Sequence, residues 1–168
     1  MAAYGDCMYL SEFTTAGASL TGMRVLDVSD PAHPTSVRFV PLTALPYHLR
    51  MLNGQLVASC SSSISLWSLT NPRDPLLLDT KAASGRVCAL DGNNIVTGAR
   101  VFRVEGDALL TVTSFTPGGS QRAGYPYGSA VGSGHVFSAP SARALILKAV
   151  TPGGPLPLRA CLPIVRKP

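Results

Sequence analysis

Apolar residues in this chain come in short bursts of five to seven, broken by glycine, proline, asparagine and aspartate. Runs such as "RVLDV" (24–28), "LLL" (76–78) and "ALILKAV" (144–150) are apolar on both sides of a two-residue alternation. Such runs predict strands in sheets that are covered on both faces. No 3.6-residue apolar stripe of useful length is present, and "ARALILKAV" (142–150), the best helical candidate, aligns by position with "SISLWSL" and "GMRVLDV". It reads as a strand. Fifteen strands are predicted in all, from "CMYLSE" (7–12) to "LPLRACLPI" (156–164).

The bursts repeat. Pro31 and Pro34 recur 41 residues on as Pro72 and Pro75, and again as Pro152 and Pro155. A turn before a small strand recurs with them, in "YGDCMYLSE" (4–12), "LNGQLVASC" (52–60), "LDGNNIVTG" (90–98) and "VGSGHVFSA" (131–139). Asn53-Gly54 and Asp91-Gly92 are strong two-residue hairpin signals. The chain therefore divides into four units, roughly 1–51, 52–89, 90–130 and 131–168, within a single domain. Four complete four-stranded units would hold sixteen strands, and the one missing is the equivalent of "YHLRML" (47–52).

Turn chemistry explains the proline spacing. Asp30 and Asn71 can close an Asx turn on the backbone ahead, and the proline after each pre-sets φ. Pro34 and Pro75 then open the next strand where no N–H is needed. The expected fold is all-β: a β-propeller or partial propeller of about four blades of short antiparallel strands. A two-sheet sandwich would not predict a period near 41 with the turn motif in phase.

At "LDVSDPAHP", "SLTNPRDP" and the glycine turns, the chain resembles the LVIVD-repeat family of β-propellers. The second unit departs by Ser68 in place of an acidic residue, the third replaces the proline turn with "VEGDA", and the fourth keeps "TPGGP" without aspartates. "SISLWSLTN" also looks like the tryptophan strand of WD40 repeats, a more distant likeness with no Gly-His pair before it. The resemblance implies a non-catalytic module for protein or ligand binding and scaffolding, at the cell surface or outside the cell. The alternative is part of a propeller enzyme or metal-dependent hydrolase-like protein with a central site near His48. Four minimal blades could close as a small ring; the preferred reading is an open arc of a larger propeller, which would expose apolar blade faces at its ends and need further blades or a second chain to complete the ring.

Composition narrows the picture. Charged residues are only 14%, so the chain should bury much of itself. The net charge of +5 comes from basic residues whose arginines are scattered singly except for Arg166 and Lys167, without the basic face of a nucleic-acid binder, and that class is set aside. No apolar run is long enough to span a membrane, and the N-terminal residues lack a signal-peptide pattern. Cys7, Cys60, Cys88 and Cys161 have no metal-type spacing and read as reduced, buried thiols. The sequence implies no metal and no cofactor.

Aligning strands that end in "RML", "CAL" and "SAV" brings His48, Arg86 and Tyr127 to one position at the start of the innermost strand, with Tyr47, Arg50 and Tyr125 nearby. That cluster at the rim of a central opening suits an anion or small polar ligand. Asp27, Asp30 and His33 are more conspicuous, yet the second unit puts Ser68 and Asn71 in place of the two aspartates, as a turn permits and a chemical site does not. "SCSSSIS" (59–65) has no nucleophile elbow and "TPGG" (116–119, 151–154) no phosphate-loop lysine. Both are turns.

Overall fold

The computed structural model describes residues 1–14, 20–83, 89–97, 100–114, 128–132, 135–141 and 144–149. They form four antiparallel sheets and, among the described residues, no helix. Sheet I contains β1 (Ala2–Tyr4), β2 (Cys7–Thr14), β3 (Leu20–Asp27) and β4 (Thr35–Pro41). Sheet II contains β5 (His48–Leu52), β6 (Gln55–Ser59), β7 (Ser63–Ser68) and β8 (Leu76–Ala82). Sheet III contains β9 (Ala89–Asp91), β10 (Asn94–Val96), β11 (Arg100–Glu105) and β12 (Ala108–Ser114). Sheet IV contains β13 (Gly128–Gly132), β14 (His135–Ser141) and β15 (Ala144–Ala149). Each is a meander in chain order.

Every described strand except β1 falls on a predicted run, β15 included. The last predicted run, 156–164, lies outside the described residues. Sheets and sequence units are out of phase by one strand: His48–Leu52 closes the first sequence unit but opens sheet II, and Ala2–Tyr4 supplies the first strand of sheet I.

The repeat reaches the hydrogen-bond ladder. Pairing slips by one residue between strands three and four of sheets I, II and III, after Val25, Leu66 and Val101, leaving Val37, Leu78 and Val112 as the extra residues. Two-residue turns join strands one and two, and their first residues, Gly5, Asn53 and Gly92, all have φ between 50° and 54°. Asn53-Gly54 is left-handed at both positions, as expected of a type I′ hairpin. In sheet III the expected turn shifts by one residue, because Asp91 pairs with Asn94 and the turn is Gly92-Asn93.

The two proline turns agree bond for bond. Asp30 accepts the Ala32 N–H at 3.0 Å and Asn71 the Arg73 N–H at 3.2 Å, while the His33 and Asp74 N–H groups each close on the carbonyl three residues back. Asp27 and Ser68, different in charge, do one job by accepting the N–H two residues ahead.

Alternation along each strand divides a sheet into a leading and a trailing face. Trailing residues of sheet I (Cys7, Tyr9, Met23, Val25, Val40) pack against leading residues of sheet II (Leu49, Leu56, Ala58, Trp67, Leu69). Trailing residues of sheet II (Leu52, Val57, Ile64, Leu66) pack in turn against leading residues of sheet III (Ile95, Phe102, Val104, Leu109). Sheet II is thus buried on both faces, as its doubly apolar strands predict. A two-sheet sandwich has no layer of that kind. The buried Trp67 indole N–H donates to Ser65 Oγ at 2.9 Å, so burying the largest side chain strands no donor.

Candidate functional site

Of the candidate residues, His48 and Arg50 lie on β5, the first strand of sheet II, and Tyr47 directly precedes it. β1 lies beside β5, and β9 beside β13. At one end of these strands the hairpin turns meet: the Tyr4 hydroxyl lies over Gly54, and Asn53 Nδ2 donates to Asn93 Oδ1 at 2.6 Å. At the other end β5 begins with His48, which pairs with Ser59, and continues to Arg50, which pairs with Val57. His48 is half-buried and Arg50 exposed, and by register both take the trailing side with Leu52. The Tyr47 N–H donates to the Ser59 carbonyl at 2.8 Å, which extends the ladder to the residue before the strand.

Arg86, Tyr125 and Tyr127 lie outside the described residues. The ladders still bear on how they line up. Leu52, Asp91 and Gly132 are the equivalent last residues before the first turn. Counted back in sequence from these, His48 is level with positions 87 and 128, whereas Arg86 and Tyr127 are level with Tyr47. For Arg86 the difference comes from Gly92, which takes the first turn position where Gly54 takes the second; for Tyr127 it comes from Gly132, which pairs with His135 and so ends the strand instead of opening the turn. In sequence, Tyr47, Arg86 and Tyr127 thus stand the same number of residues ahead of the first turns of sheets II, III and IV. Phenol, imidazole and guanidinium groups donate to carboxylates and phosphates.

A second set of polar residues clasps one sheet to the next. Pro72 in the proline turn of sheet II accepts the Tyr9 hydroxyl at 2.8 Å; Arg73 pairs with Asp27 and Asp74 with Arg38, all across the first seam. Burial pushes the Tyr9 phenol well above its usual pKa, so it stays a donor. Across the next seam Asp79 accepts the Leu109 N–H at 2.8 Å, Gln55 donates to the Gly106 carbonyl at 3.1 Å, and Arg100 donates to the Ala82 carbonyl at 2.6 Å. Sequence reading passed over Arg73 and Asp74 as turn punctuation. The signal was that "NPRDP" puts two charges where the first unit has Ala32 and His33.

The other candidates resolve as structure. His33 is exposed in its turn and pairs with Asp30 at 2.9 Å. Cys7 and Cys60 are free, buried thiols, and burial is the leading cause raising both above the ordinary thiol range, which keeps the nucleophilic thiolate scarce at neutral pH. Cys88 and Cys161 lie outside the described residues. Among the described residues no three His, Cys, Asp or Glu side chains are grouped to hold a metal ion, and no helix is long and apolar enough to cross a membrane. No family model and no curated protein matches the chain.

Proposed function

We propose that this chain is a non-catalytic β-propeller repeat module that binds a protein or a small polar ligand at the edge where its first strands meet. One observation carries the reading: sheets I to III are sequential meanders, each seating its leading face on the trailing face of the one before, with β1 beside β5. Blades arranged around an axis have that relationship. The likeness of "LDVSDPAHP" and "SLTNPRDP" to LVIVD repeats favours the same fold and a location at or beyond the cell surface.

Recognition is assigned to Tyr47, His48 and Arg50, with Arg86, Tyr125 and Tyr127 as the matching residues of later units. Their donors favour anionic groups: carboxylates, phosphates or an acidic peptide. The test is calorimetric titration of phosphate, citrate and an acidic peptide into the parent and into a Tyr47→Ala/His48→Ala/Arg50→Ala variant. Binding by the parent that weakens at least roughly tenfold in a folded variant supports the assignment. Equal binding by both proteins, or none by the parent, contradicts it.

A further inference from the structure

Sheet I has a leading face too. It carries Met8, Leu10, Arg24, Leu26 and Val28, which the ladders make equivalent to Leu56, Ala58, Ser65, Trp67 and Leu69 in sheet II. In sheet II this face is sealed by the sheet before it, with Leu56 at 0% and Trp67 at 5% exposure. In sheet I the same positions are only half-buried.

The docking parts around that face are present as well. Arg24 holds the place from which Arg100 of sheet III reaches back to the Ala82 carbonyl of sheet II. On sheet I it turns instead onto its own Glu12, at 2.6 and 2.7 Å, with Phe39 under the guanidinium. The turn of Pro31, Ala32 and His33 matches that of Pro72, Arg73 and Asp74, which clasps a preceding sheet, yet Ala32 and His33 are exposed.

We infer that the leading face of sheet I, centred on Met8, Leu26 and Val28, is a self-association surface that docks head to tail on the trailing face of the last sheet of a second copy of this chain. The occupant follows from the molecule's own interfaces: each leading face seen covered, in sheets II and III, is covered by a trailing face of this chain. Among the described residues, no strand of sheet IV makes extensive backbone contact with a strand of sheet I. In sheet IV, Phe137 and Leu147 pair with each other at the register positions of Val57 and Leu66, the trailing pair of sheet II. A head-to-tail contact of this kind closes into a ring or extends as a filament.

The inference rests on the stacking of sheets and not on a ligand at the first strands, so the titration above and the following test fail separately. Sedimentation velocity is run on the full chain over a wide concentration range, with Leu26→Asp and Val28→Asp as separate variants and Leu76→Asp, on the exposed rim of sheet II, as control. Circular dichroism checks that each is folded, and the two variants keep the test open if one fails. The expected result is a parent at twice the 17.5 kDa chain mass or a higher multiple, association weakened at least roughly tenfold by either face variant, and no change in the control. A parent that stays at the chain mass throughout, or association that survives a folded face variant, overturns it.

Discussion

Gly22 shows how little room single positions have. A Cβ there would meet the Val40 carbonyl oxygen and come within 2.7 Å of Phe39 Cζ, so the ring covers a glycine that cannot become alanine without moving backbone. Gly22→Ala should cost about 2 kcal/mol in urea unfolding, the usual scale for forced overpacking. Tyr9 makes a different demand. Its ring is fully buried while its hydroxyl reaches across the seam to Pro72, so Tyr9→Phe keeps the packing and strands a carbonyl. The expected loss is about 1 kcal/mol, read from the same unfolding curves. Neither effect could be read from the sequence, where Gly22 looks like a strand-weakening residue and Tyr9 like any aromatic. Both depend on what the next strand or the next sheet places opposite.

Strands and turns were more legible, for a physical reason: alternation and turn chemistry are local, and the ladder copies them. The Asx turns at Asp30 and Asn71 formed as expected, with the same bonds in each. β1 was missed because Ala2–Tyr4 is too short to show alternation, and it is a strand only by pairing with β2. Lining up Asn53-Gly54 with Asp91-Gly92 moved Arg86 by one residue, since the dipeptides look alike while their glycines occupy different turn positions, and Tyr127 moved likewise because Gly132 pairs as the last residue of its strand. Between elements, Asp79 on β8 ties sheet II to Leu109 of sheet III. That backbone N–H is the leading cause holding the Asp79 carboxyl below its usual pKa, with Lys81 adding to it. A depressed carboxylate pKa means stability that is complete above the unfolded value and lost as pH falls through the folded one. Unfolding midpoints should therefore hold steady above about pH 5 and decline below about pH 4. Asp79→Asn keeps an acceptor for the Leu109 N–H but removes the charge, and its midpoint should decline less steeply over that acid range.

For the whole molecule, the account depends on the direction of stacking. Runs that are apolar at successive positions announce that a sheet has two buried faces but not which neighbour covers which. That came from Trp67, Leu56 and Leu69 sharing a cluster with sheet I while Ile64, Leu66 and Val57 share one with sheet III. Trp67→Ala should open a cavity in the first seam and cost about 3–5 kcal/mol, measured by denaturation. The same stacking leaves a leading face on sheet I, and it puts Tyr47, His48 and Arg50 on the edge assigned to recognition. The most direct test is a nuclear Overhauser spectrum of the chain with labelled methyl and aromatic groups. The account predicts cross-peaks from the Trp67 ring to side chains of its own cluster, Met23 and Val25 of sheet I among them, and from the Phe102 ring to Ile64 and Leu66 of sheet II. Cross-peaks joining the Trp67 and Phe102 rings, or sheet I directly to sheet III without sheet II between them, would contradict it.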